Sequence, residues 1–200
     1  MEVTVISILI SYLIGSISFA YVLVKALKGI DIRTVGSQNA GATNVLRTIG
    51  PVMALTVFLL DVLKGVAAVW LGRTVGGEIL SLLCGIAVIV GHNWPIFHGF
   101  KGGKGTATSV SVIWMIMPDI ALVVSILGVA IIAFTRFVSL GSILVAPIFP
   151  LLTIAYGKPI SHIIFALILM LMSLYKHKLN IKRLLEGSES KLGQRPKRVK

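Results

Sequence analysis

The sequence has 200 residues, of which 56% are hydrophobic and only 13% are charged. Soluble domains carry about 25% charged residues, so this composition excludes an ordinary soluble protein. The net charge of +12, from 19 Lys and Arg against 7 Asp and Glu, indicates membrane topology and anionic ligands rather than nucleic acid, because basic residues in a membrane protein mark cytoplasmic loops.

Seven apolar segments follow one another along the chain, and we interpret them as the transmembrane helices of an all-α integral membrane protein. A helix needs about 20 residues to cross the hydrocarbon layer, and several of these segments are shorter. If the short neighbouring segments are half-spans, the number of spans falls to five. The segments are residues 3–24, 51–71, 79–94, 106–117, 120–134, 140–155 and 160–174.

The basic residues predict which helix ends face the cytoplasm. Met1 and Glu2 precede the first apolar segment, so the positive region of a cleavable signal peptide is missing. With the N-terminus outside, sixteen Lys and Arg residues fall inside and only Arg73 and Lys158 fall outside. Five and seven spans both leave the C-terminus inside. We predict a membrane domain over residues 1–175 with cytoplasmic loops at 25–50, 92–106 and 135–142, then a basic cytoplasmic segment over 176–200.

The first loop contains the run GSQNAGATN at residues 36–44, followed by Arg47. Small residues let backbone amides approach a ligand closely, the polar side chains add donors, and the guanidinium of Arg47 can bind an anion through two hydrogen bonds. A helix cap needs only one Ser or Asn, whereas several cluster here beside two glycines. The run predicts an anion-binding loop, and the alternative interpretation is a turn that caps the second span.

Two charged residues and one cysteine fall inside the predicted spans. Asp61 and Lys64 are three residues apart in the second span, and we expect them to form an ion pair that orients neighbouring groups. Cys84 lies in an apolar run, where burial disfavours the reactive thiolate. We therefore expect Cys84 to be a packing residue.

The second loop contains the run GHNWPIFHGFKGGKGTATS at residues 91–109. Glycines beside lysines at the start of a helix are typical of an anion cradle, built from free amides, the helix dipole and ammonium groups. The spacing is not that of a Walker A loop, because His98 replaces the first glycine before Lys104, and Phe100 replaces the second glycine before Lys101. The run predicts phosphate binding without nucleotide hydrolysis; the alternative is a flexible basic loop.

Two further polar runs are predicted on the same side of the membrane. RFVSLGS at residues 136–142 offers Arg136 and Ser142 to the same anion. In KHKLNIKRLLEGSESK at residues 176–191, helical spacing places Lys176, Asn180 and Arg183 on one face. That face fits either a part of the site or the binding of lipid head groups alone. Residues 179–185 are predicted to form a short amphipathic surface helix.

Together and in this order, these runs resemble the bacterial acyl-phosphate:glycerol-3-phosphate acyltransferase family of the PlsY type. The resemblance rests on GSQNAGATNVLR, GHNWPIFHGFKGGKGTAT, RFVSLGS and KHKLNIKRLLEGSESKLG, and it extends along almost the whole chain. It implies a multi-pass enzyme of the bacterial cytoplasmic (inner) membrane whose active site faces the cytoplasm. The implied reaction moves a fatty acyl group from acyl phosphate to the sn-1 hydroxyl of glycerol 3-phosphate. The products are 1-acyl-glycerol 3-phosphate (lysophosphatidic acid) and phosphate, in the first step of bacterial phospholipid synthesis.

The resemblance also implies a site, a functional monomer in membrane lipid, and no cofactor, metal ion or nucleic acid. We expect Lys104, Ser142 and glycine amides to hold the donor phosphate, and Arg47, Lys101, His177 and Asn180 to hold glycerol 3-phosphate; which phosphate occupies which cradle stays open. The predicted catalytic residues are Lys104, Ser142, His177 and Asn180. The predicted substrate-binding residues are Ser37, Asn39, Thr43, Asn44, Arg47, His92, Asn93, Lys101, Gly102, Gly103, Thr106, Arg136, Ser139, Lys178 and Arg183.

Acyl phosphate is already an activated anhydride, so the enzyme needs positioning and charge stabilisation more than a protein base. The proton of the attacking hydroxyl passes either to a substrate phosphate oxygen or to His177, and both routes stay open.

A transporter of a phosphorylated anion is the alternative function, and it predicts polar groups along a path reachable from both faces. A lipid-binding anchor would need only the basic tail.

Overall fold

The computed structural model describes residues 2–194, and within this range the chain forms helices and loops without a strand. The all-α prediction is confirmed, and residues 195–200 of the basic segment predicted over 176–200 lie outside the described range. Two 3₁₀ turns occur at Ile32–Thr34 and Ile96–His98. The α-helices are α1 (Glu2–Ser16), α2 (Phe19–Lys28), α3 (Ala42–Thr48), α4 (Pro51–Asn93), α5 (Thr106–Ile116), α6 (Pro118–Thr135), α7 (Val138–Ala155), α8 (Ile160–Lys176) and α9 (Lys178–Leu185).

The long helix α4 is a hairpin of two arms. Gly76 and Gly77 leave the helical conformation, and Gly77 adopts a left-handed φ of 70°. In a straight helix, Asp61 and His92 would be about 46 Å apart, but Oδ1 of Asp61 and Nδ1 of His92 are 3.4 Å apart. The arms correspond to the predicted apolar segments 51–71 and 79–94.

Four stretches are long and apolar enough to cross a membrane: Glu2–Lys28, Pro51–His98, Pro118–Thr135 and Val138–Ala155. Helices α8 and α9 give a fifth span if the pair, bent by 56°, is counted as one. The predicted breaks at 117–119 and 135–139 are confirmed, because α6 begins at Pro118 and ends at Thr135. Helix α5 has 11 residues and is about 16 Å long, too short to cross alone. The number of spans and the orientation of the termini stay predictions.

Helix α1 packs against the second arm of α4 through two glycines. A β-carbon on Gly15 would lie 2.2 Å from the carbonyl oxygen of Val88, and one on Gly91 would lie 2.2 Å from that of Tyr12. The hydroxyl of Tyr12 donates a hydrogen bond of 3.0 Å to the carbonyl oxygen of Trp94. The two helices therefore touch along their backbones. A buried apolar core beside them includes Val69, Val88, Ile89, Val112, Met117, Phe149 and Phe165.

We expect Gly91→Ala to lower the melting temperature of the purified protein, because overpacking a backbone contact costs about 1–3 kcal/mol. The matched control is Gly128→Ala in α6, where the nearest atom to an added β-carbon is 3.7 Å away. Alanine has the higher helix propensity, so the control should melt at the original temperature or slightly above it. Thermal unfolding in detergent measures both, and equal melting temperatures would contradict the close packing of α1 on α4.

Candidate active site

The polar runs meet around one cavity of about 420 Å³. Arg47 donates a hydrogen bond of 2.8 Å to the carbonyl oxygen of Ser190, which joins the first run to the last. Lys176 donates one of 2.8 Å to the carbonyl oxygen of Asn93 in the second run. Arg136 reaches the last run through the carbonyl oxygen of Leu192, at 2.9 Å. The four runs therefore form a single site.

The cavity wall contains twelve of the predicted site residues, and seven others lie outside it. The lining residues are Ser37, Asn39, Thr43, Asn44, Arg47, His92, Lys104, Thr106, Ser139, Ser142, His177 and Asn180. The residues outside the wall are Asn93, Lys101, Gly102, Gly103, Arg136, Lys178 and Arg183.

Asn44 shapes the first loop from within. Its side-chain oxygen accepts a hydrogen bond of 2.9 Å from the amide of Ser37, and its side-chain nitrogen donates bonds of 3.0 Å to the carbonyl oxygens of Ile32 and Val35. Gly36 has a left-handed φ of 60°, and a β-carbon there would lie 2.3 Å from the Asn44 oxygen. Asn44 thus fixes the loop that presents Ser37 to the cavity.

The glycines of the second loop let it fold tightly onto His92. The amide of Gly103 donates to the carbonyl oxygen of His92 at 3.1 Å. A β-carbon on Gly103 would lie 2.1 Å from Nε2 of His92, and one on Gly102 would lie 2.1 Å from the His92 carbonyl oxygen. Gly105 has a left-handed φ of 77° immediately before α5. The glycines therefore shape the loop around Lys104, while Lys101 is exposed outside the cavity.

Lys104 is the ammonium group that this loop brings into the cavity wall. It donates a hydrogen bond to the side-chain oxygen of Asn180. Burial lowers the pKa of Lys104 to about 8, helped by the positive charges of Arg183 and Arg47 and opposed by the carboxylate of Glu189. Lys104 is therefore mostly cationic at neutral pH, and a bound phosphate would favour the cation further.

Glu189 is the site residue that the sequence analysis missed. Its Oε1 accepts hydrogen bonds of 2.7 Å from the hydroxyl of Ser139 and from the side-chain nitrogen of Asn180. Its Oε2 accepts one of 2.7 Å from Nε of Arg183. Burial by itself raises the pKa of Glu189, but these hydrogen bonds outweigh burial and lower it. The carboxylate thus fixes Asn180, which in turn contacts Lys104.

His177 follows the last residue of α8 and is buried in the cavity wall. Its Nδ1 lies 2.8 Å from the carbonyl oxygen of Ser173, so this nitrogen carries the proton and Nε2 is the free acceptor. Burial is the largest cause that lowers the pKa of His177 to about 4, and the charge of Lys104 adds to it. The imidazole is therefore neutral at pH 7 and a weak base.

A buried charged cluster lies beside the cavity. Nζ of Lys64 is 2.8 Å from Oδ1 of Asp61, which confirms the predicted ion pair. Lys64 also donates bonds of 3.2 Å to the carbonyl oxygens of Gly15 and Ile17, where α1 ends. Because Asp61 also approaches His92, the cluster connects the end of α1 to the loop of Lys104.

Most of the remainder of the cavity wall is apolar and comes from α5, α6, α7 and α8, with Phe58 of α4 beside them and the hydroxyl groups of Ser109, Ser125 and Ser173 among the apolar side chains. One end of the cavity therefore offers ammonium, guanidinium, amide and hydroxyl groups, and the other end offers mainly hydrocarbon. Such a cavity suits an amphiphile with an anionic head. The apolar wall includes Val110, Ile113, Val124, Val129, Ile132, Val145, Phe149 and Leu169.

Comparison with known sequences gives matches along nearly the whole chain. A family model described as glycerol-3-phosphate acyltransferase matches residues 5–187. A relative from Thermoanaerobacter pseudethanolicus, named glycerol-3-phosphate acyltransferase, is 50% identical over 191 residues, which cover 96% of each chain. A relative of the same name from Syntrophomonas wolfei is 46% identical over 185 residues, which cover 92% of this chain and 95% of the relative.

Two crystal structures of PlsY (YgiH), described as an integral membrane glycerol 3-phosphate acyltransferase, have similar folds. The glycerol 3-phosphate form superimposes with a TM-score of 0.90 at 38% identity, covering 95% of this chain and 96% of that chain. The lysophosphatidic acid form gives a TM-score of 0.87 at 36% identity, covering 95% of each chain.

Proposed function

The chain belongs to the glycerol-3-phosphate acyltransferase family, whose model it matches over residues 5–187, and we propose that its acyl donor is acyl phosphate. The fatty acyl group moves to the sn-1 hydroxyl of glycerol 3-phosphate and gives lysophosphatidic acid and phosphate. This activity makes the protein an enzyme of phospholipid synthesis in the inner membrane, with its site open to the cytoplasm.

The observation that carries the proposal is the two-ended cavity. At its polar end, Lys104 and Arg47 supply positive charge, while Ser37, Ser142 and Asn180 supply further polar groups. Both substrates carry a phosphate group, and the donor and the product also carry a hydrocarbon chain that suits the apolar end.

In the proposed reaction, the sn-1 hydroxyl oxygen attacks the carbonyl carbon of the donor, a new ester bond forms, and the bond from that carbon to the phosphate oxygen breaks. Lys104 stabilises the negative charge on the leaving phosphate. The hydroxyl proton goes to an oxygen of this phosphate rather than to His177. The low basicity of His177 supports this route, because a group with a pKa of about 4 is a poor proton acceptor at neutral pH.

We therefore expect His177→Gln to lower kcat by only about tenfold, the loss of an orienting contact rather than of a base. Steady-state rates of phosphate release measure this effect. The control is His162→Gln, since His162 is also buried but lies near the start of α8, contacts Glu78 at 3.0 Å and does not line the cavity. A loss above about a thousandfold in kcat with an unchanged KM would instead establish His177 as a general base.

The donor is tested with purified protein in lipid nanodiscs, palmitoyl phosphate and glycerol 3-phosphate. We expect phosphate and lysophosphatidic acid to form only when both substrates are present, and acyl coenzyme A to give no product. Uptake of glycerol 3-phosphate into liposomes without product would establish the transporter instead. In sealed vesicles, added glycerol 3-phosphate should react when the cytoplasmic face points outward; reaction only in the opposite orientation would contradict the proposed topology.

A further inference from the structure

Two lysines and two aromatic residues form a patch where α8 meets α9, and we call Trp94, Tyr175, Lys176 and Lys178 the aromatic–lysine patch. Nζ of Lys176 lies 5.0 Å from the ring centroid of Trp94, and Nζ of Lys178 lies 4.7 Å from that of Tyr175. The centroids of the two rings are 6.1 Å apart. None of the four residues lines the cavity. The patch is therefore separate from the candidate active site.

The patch is built on packed helices. Glu78 contacts His162 at 3.0 Å near the start of the second arm of α4, and Lys176 donates a bond of 2.8 Å to the carbonyl oxygen of Asn93 near its end. Helix α8 and this arm therefore run side by side in the same direction. Helix α1 packs on the same arm, and the hydroxyl of Tyr12 donates to the carbonyl oxygen of Trp94. The backbone that carries the patch is thus held by three helices.

A stripe of exposed apolar side chains leads along α8 to the patch. Ile164, Leu167, Leu171 and Tyr175 are all exposed, and their spacing of three or four residues places them on one face of the helix. In an integral membrane fold such a face lies against hydrocarbon. Trp and Tyr are enriched where hydrocarbon meets the head groups, so the patch marks the level of the head groups at the end of this stripe.

The two ammonium groups of the patch have donors available for an anion. Among the described residues 2–194, no carboxylate pairs with Lys176 or Lys178. Lys182, on the same short helix as Lys178, differs because it lies 3.8 Å from a carboxylate oxygen of Glu186. An ammonium group has three N–H donors. The bond from Lys176 to Asn93 uses one of them, and contact with an aromatic face leaves the charge in place.

We propose that the aromatic–lysine patch binds the head group of an anionic phospholipid, whose acyl chains lie along the exposed stripe of α8. Basic residues beside membrane helices favour anionic head groups, and the stripe supplies the apolar surface that the chains of such a lipid need. Because Lys176 also holds Asn93, which adjoins His92 of the cavity wall, a bound lipid stabilises the contact between α8 and the loop of Lys104. The inference does not depend on the identity of the acyl donor.

The test uses the fluorescence of Trp94, which bromine atoms quench only at close range. Trp70→Phe and Trp114→Phe leave Trp94 as the only tryptophan. This protein is placed in phosphatidylcholine bilayers in which a rising fraction of the lipid is replaced by phosphatidylglycerol brominated near its head group. One lysine near the head groups strengthens the binding of anionic lipid about fivefold. Half-maximal quenching should therefore need at least about fivefold less of this lipid than of brominated phosphatidylcholine.

Three replacements separate the patch from the surrounding positive charge. Lys178→Gln in the same protein should raise the fraction of phosphatidylglycerol that gives half-maximal quenching by about fivefold. Lys178→Arg keeps the charge and should leave this fraction unchanged. The matched control is Lys182→Gln, which removes a lysine that is already paired on the same helix, and it should also leave the fraction unchanged. An equal effect of Lys178→Gln and Lys182→Gln would overturn the site.

Trp70 provides a second probe away from the patch. It is exposed on the first arm of α4, towards the break at Gly76. In a protein with Trp94→Phe and Trp114→Phe, brominated phosphatidylglycerol and brominated phosphatidylcholine should quench Trp70 at the same fraction. The same preference for phosphatidylglycerol at Trp70 as at Trp94 would mean general attraction to a positively charged protein. That result, or equal quenching of Trp94 by the two lipids, would overturn the proposal.

Discussion

Lys104→Ala is expected to lower kcat/KM for both substrates by about a thousandfold, the size of effect seen when one charge-stabilising donor is removed from a reaction site. Lys104 contributes an ammonium group to the polar end of the cavity, where it contacts Asn180. Without it, the cavity wall loses the ammonium group that would stabilise the charge developing on the leaving phosphate. Initial rates of phosphate release at pH 7, with each substrate varied in turn while the other is saturating, measure the effect.

The matched control for this replacement lies three residues earlier in the same loop. Lys101 is exposed and does not line the cavity, so Lys101→Ala should change kcat/KM by less than about threefold, as expected for a screened surface charge. A near-normal kcat in Lys104→Ala would remove Lys104 from the donor site. Equal losses in both variants would mean that the loop acts through its total charge.

Replacement by arginine separates the charge of Lys104 from its position. The active form is the cation, and burial lowers the pKa of Lys104 to about 8, so kcat/KM of the unmodified protein should fall as the pH rises through about 8. Arginine stays charged over this range. The fall should therefore disappear in Lys104→Arg, even if the larger side chain lowers the maximum rate, and an unchanged pH profile would assign the fall to another group.

Most of the helices could be predicted because apolar length and breaking residues act locally. Pro118 starts α6, and the break at Gly76 and Gly77 lies between the two predicted segments of α4. The break between α1 and α2 was not predictable in this way. It lies where Lys64 bonds to the carbonyl oxygens of Gly15 and Ile17, and that contact depends on how α4 packs.

The site was predictable as a set of runs, but the part played by single residues was not. Asn44 and Gly103 belong to the runs that the sequence predicted as substrate-binding. In the structure, Asn44 holds its own loop through hydrogen bonds to the backbone, and Gly103 packs on His92. Helix α3 was missed inside the predicted loop at 25–50, because seven residues are too few to show a helical apolar pattern. Glu189 was missed because its partner Ser139 lies fifty residues earlier, and no local pattern relates the two.

Glu189→Ala is expected to lower both stability and turnover. The change leaves the donors of Ser139, Asn180 and Arg183 without their shared acceptor. Breaking a fully buried pair costs about 3–5 kcal/mol, and since the side chain of Arg183 is 33% exposed we expect about 2–3 kcal/mol. For a protein of this size that is a fall in melting temperature of roughly 5–10 °C. Turnover should fall with it, because Asn180 is no longer held against Lys104.

Glu186→Ala is the matched control, three residues earlier in the same segment. Its carboxylate is exposed and 3.8 Å from Lys182, a surface pair that contributes about 0–1 kcal/mol. Hydrogen bonds hold the pKa of Glu189 in the folded protein below the ordinary pKa of a glutamate. The ionised carboxylate therefore stabilises the fold fully at a pH above the ordinary pKa, and this stabilisation is lost as the pH falls through the lowered pKa. The gap in melting temperature between the two variants should therefore narrow in acid. A constant gap at all pH values, or equal melting temperatures at pH 7, would contradict the role of the Glu189 carboxylate.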